Sequence, residues 1–446
     1  MPTKLEKNLY KLAIPIFIEL LFMMLLGTVD TIMLSRFNDN AVGAVSNANT
    51  VINFLTVLIN VVSVGIGVVI SNYLGAKNED FAKRAISTGV FFNTILGLLL
   101  FLFFQFFGDS LFKLVGTSEV FILNSTNYLK IVTMGIPFIA LSQVLSAALR
   151  SYGKPRQMMV VTMISNILNV IINFILIFDI FHTNNPVITG VNGAAIGTLV
   201  SHLFTFVLSI ILVKKIIKAK IINLNLDKEC LKQILRIGLP SALENVAYNI
   251  SQFIILWVVN QMKNENIVNA RAYILTITSF VFLFSSSFAN SNQIIVGYYI
   301  GEKDYDAAYR HTYKAFLHGI IYALVMVSII NIFGRGVLGI LTKNEDIINI
   351  ALKALPVIIF LEIGRTSNLV FIQALKACGD TIFPLVIGIV SMLGIAALGS
   401  YIFGLCFSLG IVGIFIAAAA DECMRGILVV FRWKSKAWTK KSIIKD

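Results

Sequence analysis

The segment NYLGAKNEDFAKRA (residues 72–85) returns 226 residues later as YYIGEKDYDAAYRH (298–311), with Gly75 over Gly301 and Lys77 over Lys303. Three more landmarks keep the same order at a similar offset. LAIPIFIEL sets Glu19 four residues after Pro15, and IGLPSALEN sets Glu244 four residues after Pro240, 225 residues on. ALRSYGKP (148–155) matches ALKACGDT (374–381), and VNGAAI (191–196) matches VGIFIA (412–417) more weakly. Such self-similarity marks an internal duplication.

The duplicated unit belongs in a membrane. Of 446 residues, 57% are hydrophobic and 13% charged, against about 45–50% and about 25% in soluble domains. Apolar runs of about 20 residues recur along the chain, the signature of membrane-spanning helices. Reading the runs between polar breaks gives twelve spans: 12–36, 45–73, 85–108, 127–148, 158–180, 191–213, 237–261, 270–300, 314–334, 348–374, 382–404 and 408–431. Six spans per half give the halves one orientation, related by an axis along the membrane normal. The expected fold is an all-α membrane protein, with two six-helix pseudo-symmetric lobes around a central cavity. The N-terminal lobe is residues 1–213, the cytoplasmic linker 214–236, and the C-terminal lobe with its basic tail 237–446. Carriers built from repeats place their sites where the halves meet, and the duplication favours a carrier over a channel assembled from subunits.

Charge sets the orientation. Lys77, Lys83, Arg84, Arg150, Lys154, Arg156, the run from Lys214 through Lys220 to Arg236, Lys303, Arg310, Lys314 and Lys376 fall in the even-numbered connections. Lys4, Lys7, Lys11 and the tail from Arg432 to Lys441 join them, whereas FHTNNPVITG has neither Lys nor Arg. The positive-inside rule then puts both termini in the cytoplasm of a cell membrane. This topology accounts for the net charge of +13 without a nucleic-acid partner. Cys230, Cys378, Cys406 and Cys423 are scattered and read as packing residues.

Polar groups inside such spans are candidates for function. Asp30 stands in LLFMMLLGTVDTIMLSRF (20–37), with no Lys or Arg one turn away. Glu19 lies eleven residues earlier, close to three turns, so the two share a helix face. Asn166, Asn169 and Asn173 form one amide face of the fifth span, and Thr198 lies in the sixth. Asn49, Asn53, Thr56, Asn60 and Ser63 stripe the second span, and Ser279 and Ser286 of the eighth occupy the repeat positions of Asn53 and Asn60. Glu244 and Tyr248 share a face of the seventh span, and Glu362 and Arg365 stand at i and i+3 in the tenth. Two readings stand for the stripes, interhelical hydrogen bonding or a substrate wall. Two stand for Glu362 and Arg365 as well: a self-neutralising pair or a substrate contact. Asp30 differs, because its repeat counterpart is Ile255. One half manages without the acid, so the fold does not require it.

Over nearly its full length the chain resembles the multidrug and toxic compound extrusion family of the wider multidrug/oligosaccharidyl-lipid/polysaccharide exporter superfamily. The resemblance rests on IPIFIELLFMMLLGTVDTIMLSRF, NYLGAKN, ALRSYGKPRQ, NILNVIINFILIF, VNGAAIGT, GLPSALEN and GRTSNLVFIQALKACGDT. It implies a bacterial antiporter that takes up a proton or Na⁺ and expels amphipathic, cationic compounds. The coupling-ion site would be Asp30, Asn169, Asn173 and Thr198, with Pro15 bending the first helix. Substrate would meet Glu244, Tyr248, Glu362, Arg365, Asn53, Asn60 and Ser286. Two positions depart from the family pattern. Asn173 stands where many members carry Asp, which favours a proton over a fixed Na⁺ cage. Arg365 stands where some Na⁺-coupled members carry Asp, and an Arg cannot ligate Na⁺. Glu244 is then left to pair with Arg365 or to attract a cationic substrate.

No cofactor or resident metal is implied, and a monomer in the lipid bilayer is expected. The rivals are a lipid-linked oligosaccharide flippase of the same superfamily, an enzyme and a channel. A flippase calls for a strongly basic cavity. The sequence contains no H-E-x-x-H, G-x-S-x-G or Walker A motif.

Overall fold

A computed structural model describes residues 8–114, 119–183, 185, 187–219 and 227–444. Lys4, Lys7 and Lys220 of the basic segments lie outside the described residues. Among the described residues there is no strand. Fourteen α-helices run in order: α1 Leu9–Phe37, α2 Asp39–Gly75, α3 Glu79–Leu114, α4 Glu119–Thr133, α5 Ile136–Ser151, α6 Pro155–Ile177, α7 Gly190–Ile216, α8 Lys228–Gln261, α9 Glu265–Gly301, α10 Tyr305–Ile332, α11 Gly334–Leu341, α12 Glu345–Ala377, α13 Ile382–Ser391 and α14 Gly410–Lys434. Two π-helical stretches, Met392–Ala397 and Ser400–Cys406, continue α13.

Ten described helical segments are long and apolar enough to cross a membrane, the α13 segment counted through to Cys406. The fourth expected span is a broken one: Phe121–Thr133 and Ile136–Ser151 meet at 48° and bring the number to eleven. Gly135 caps α5 and Pro137, which lacks an N–H, occupies its first turn, so the helix restarts there. The twelfth, α14, has 25 residues, and every 18-residue window of it holds Asp421, Glu422 and Arg425. Large apolar side chains such as Phe106, Phe253, Ile332 and Phe431 are exposed, as a lipid-facing surface requires. The protein is a multi-pass membrane protein.

The duplication recurs in backbone detail. Lys77 and Lys303 both adopt φ 59° in the turns after α2 and α9. The next residue caps the following helix in each half: Asn78 Oδ1 accepts from Phe81 N at 3.0 Å, and Asp304 Oδ1 from Ala307 N at 2.9 Å. The ends of α5 and α12 match likewise. Gly153 (φ 70°) and Gly379 (φ 81°) occupy the left-handed positions that favour glycine. Lys154 N donates to Leu149 O at 2.9 Å, and Asp380 N to Leu375 O at 3.0 Å.

Two compact units result. One comprises Ile18–Ile70 and Asn78–Gly238; the other comprises Lys7–Phe17, Ser71–Lys77 and Leu239–Asp446. The core of the first is built from residues such as Leu34, Leu55, Phe104, Phe112 and Leu129. The second has one cluster around Ile274, Leu355 and Phe415 and another around Phe371, Trp433 and Trp438.

Candidate functional site

In the first unit α6 presents its amide face to α1 and α7. Asn173 Nδ2 donates to Asp30 Oδ1 at 2.8 Å and to Asn169 Oδ1 at 2.9 Å, which fixes the orientation of its amide. Asn169 Nδ2 reaches Ser201 Oγ at 3.4 Å, and Ser201 Oγ donates to Thr198 O at 2.9 Å. The Thr198 hydroxyl donates to Ala194 O at 3.0 Å and also engages buried Tyr128 of α4, which lies within electrostatic reach of Asp30. Asn166 Nδ2 donates to Phe22 O at 2.9 Å and ties α6 to α1. Asn169 and Asn173 are buried, and Asp30 is half-buried. The four expected coupling-site residues therefore form one connected cluster.

Gly197 makes that cluster possible. A Cβ at residue 197 would collide with Asn173 Oδ1, which is buried and without a hydrogen-bond partner among the described residues.

The other membrane acids are paired with bases, and the repeat organises the pairing. Glu19 of α1 meets Arg150 of α5 at 2.6 Å. Their counterparts, Glu244 of α8 and Lys376 of α12, meet at 2.8 Å. Glu19 is 2% exposed and Glu244 8%, so each duplicated unit neutralises its acid with a base at the matching helix end. Glu244 thus pairs with Lys376, and Lys376 is buried in the fold.

Arg365 belongs to a second ionic group in α12 and α14. It lies 2.5 Å from Glu362 and 3.8 Å from Glu422, and Arg425 lies 2.5 Å from Asp421 and 3.1 Å from Glu422. Asn368 Nδ2 donates to Glu422 at 2.9 Å, and Ser391 Oγ to Asp421 Oδ1 at 2.5 Å. Burying charges is tolerable only where they are paired and hydrogen-bonded, and these are. Tyr248 is 43% exposed on α8 and within electrostatic reach of Arg365 and Glu422. Asn53 is exposed and Asn60 half-buried on α2, and Ser286 accepts from Asn290 Nδ2 at 3.3 Å.

Sequence reasoning missed Tyr128, Ser201, Gly197 and the charges of α14. A signal existed for the last: Asp421 and Arg425 stand at i and i+4, the spacing of a helical ion pair. Among the described residues no group of three or more His, Cys, Asp or Glu is placed to hold a metal ion.

The MatE family pattern matches residues 15–175 and 240–402. The uncharacterized transporter YisQ of Bacillus subtilis (strain 168) is 34% identical over 440 residues, covering 98% of this chain and 96% of that one. The probable multidrug resistance protein NorM of Thermotoga maritima is 27% identical over 456 residues, covering 99% and 95%. A solved MOP superfamily transporter from Pyrococcus furiosus superposes with a TM-score of 0.88 at 22% identity, over 97% of this chain and 96% of that one.

Proposed function

Since the chain belongs to the multidrug and toxic compound extrusion family of membrane transporters, we propose that it exports amphipathic, cationic organic compounds in exchange for protons, with Asp30 as the coupling carboxylate. The observation that carries the reading is a difference among acids. Glu19, Glu244, Glu362, Asp421 and Glu422 each have an Arg or Lys partner, whereas among the described residues Asp30 has no such base and accepts from the neutral amide of Asn173. An acid held in a permanent ion pair has no reason to exchange its charge. One that faces only neutral donors takes up a proton or a cation when its surroundings change.

The mechanism follows from burial. Low dielectric disfavours the charged form of a carboxyl group, and contact with water restores it. Alternating exposure of Asp30 to the two sides of the membrane would then load a proton on one and release it on the other. Asn173 steadies ionised Asp30 through its N–H, while Asn169, Ser201, Thr198 and Tyr128 hold Asn173 and α7 in register. Na⁺ needs oxygen ligands, and here Asn173 turns its nitrogen toward the carboxylate. This supports the proton over Na⁺. Pro15 lacks the N–H that would continue the α1 ladder, and is where we expect the helix to bend. Of the residues expected to meet substrate, Tyr248, Asn53, Asn60 and Ser286 remain available, because the charges of Glu244, Glu362 and Arg365 are neutralised by neighbours. Those same pairings consume the basic groups that a flippase would turn toward an anionic lipid-linked sugar. The Staphylococcus aureus (strain MSSA476) relative MepA, 25% identical over 84% of this chain and 82% of its own, is a multidrug export protein. The test is efflux of a cationic dye from proteoliposomes under imposed pH or Na⁺ gradients, with and without Asp30→Asn; dependence on the Na⁺ gradient alone would refute proton coupling.

A further inference from the structure

Away from Asp30, the first turn of α1 and one face of α10 enclose a cavity of about 300 Å³, lined by Asn8, Leu9, Tyr10, His311, Lys314 and His318. His311, Lys314 and His318 stand at i, i+3 and i+7, so they share a helix face. Among the described residues no carboxylate lines the cavity, and Lys314 is exposed, with no ion-pair partner among them.

The side chains of Asn8, Tyr10, His311 and His318 are held by contacts behind them. Asn8 Oδ1 accepts from Tyr10 N at 3.1 Å and Lys11 N at 3.4 Å, leaving the amide NH₂ of Asn8 as a donor. The Tyr10 hydroxyl and His318 Nδ1 are 2.9 Å apart, and the Tyr10 ring packs edge-on against Phe288 at 5.8 Å. Asn292 Nδ2 donates to Val370 O at 3.4 Å, so its Oδ1 is the acceptor for His311 Nδ1–H at 3.0 Å. That bond places the ring proton of His311 on Nδ1. The Lys314 ammonium and the Asn8 amide NH₂, with the His318 ring beside them and no acid among the described lining residues, complement an anion.

We propose that this cavity binds a phosphate-bearing anion, supplied either as free phosphate or as the headgroup of an anionic phospholipid. Its volume is at the small end of ligand sites, which suits a phosphate group with its nearest substituents. His311 lies six residues into α10, about 9 Å from the helix start at the α-helical rise, a depth that a headgroup reaches. The bound anion cross-links the first turn of α1 to α10, on the N-terminal side of Pro15. This site stands apart from the role given to Asp30, and its test reads binding.

The purified full chain in neutral detergent is titrated with inorganic phosphate and its thermal midpoint followed. In parallel, the chain in nanodiscs of phosphatidylcholine is compared with nanodiscs containing phosphatidylglycerol. We expect a rise in midpoint in at least one arm. A response to phosphate identifies a soluble anion, and a response to phosphatidylglycerol alone identifies a headgroup. Lys314→Gln and Lys314→Glu should weaken binding about ten-fold or more, the factor of one charge-assisted hydrogen bond. Lys263→Gln, an exposed lysine outside the cavity, should leave it unchanged. No rise in either arm, or an equal rise in Lys314→Glu and the parent protein, overturns the proposal.

Discussion

Replacing Arg150 by Met would strand Glu19, whose side chain is 3% exposed, without its cation. Removing one partner of a buried pair costs about 3–5 kcal/mol, because the remaining charge keeps its desolvation penalty without its attraction. Lys376→Met should behave alike, since Glu244 is 10% exposed at the side chain and Lys376 8%. Glu19→Gln should cost less, about 1–2 kcal/mol, because the Arg150 side chain is 26% exposed and can reach water. Combining Glu19→Gln with Arg150→Met should recover about 2–3 kcal/mol of the loss, the coupling that a double-mutant cycle isolates. Asp30→Asn should run the other way. A carboxylate at a helix centre in the membrane costs about 2.5–3.5 kcal/mol, and the amide oxygen that replaces it would still accept the hydrogen bond from Asn173. That variant should be as stable as the parent or more so. The assay is heat or denaturant unfolding of the purified chain in detergent, followed by fluorescence of Trp257, Trp433 and Trp438. If Asp30→Asn is as destabilising as Arg150→Met, Asp30 is a structural acid and the reasoning fails.

Gly197→Ala pushes a Cβ into Asn173 Oδ1 and should cut gradient-driven export about ten-fold or more while the protein still purifies as a folded monodisperse species. Gly339→Ala, whose Cβ would meet nothing within 4 Å, should leave export unchanged in the same flux assay. Arg425→Met strands Asp421, which is 4% exposed, leaves Glu422 with Arg365 and Asn368, and should cost about 3–5 kcal/mol. Adding Asp421→Asn should return part of that stability, as read by the same unfolding assay.

The sequence carried the parts of this architecture that depend on pattern. Hydropathy located the spans, and the repeated landmarks proved to be repeated turns, down to the left-handed Lys77 and Lys303 and the glycines at 153 and 379. The connected cluster around Asp30 was legible because the asparagines of α6 keep helical spacing. Contacts between helices distant in sequence were not legible. Nothing in the order of residues says that Glu244 meets Lys376, 132 positions away, although the repeat then pairs Glu19 with Arg150, 131 positions apart, once one pair is known. The break between α4 and α5 had its signal in Gly135 and Pro137, but a run of apolar residues hid it. The π-helical stretches after Ser391 change hydrogen-bond register without changing composition, and Ser251 Oγ donates to Met392 O at 2.7 Å there.

The central claim is that Asp30, the membrane acid with no basic partner among the described residues, couples ion entry to export. The most direct measurement is efflux of a cationic dye from proteoliposomes holding equal amounts of parent protein or Asp30→Asn, with a pH gradient imposed across the bilayer. The account predicts that the gradient accelerates efflux by the parent protein and has no effect on Asp30→Asn. Gradient-driven efflux by Asp30→Asn at the parent rate would contradict it.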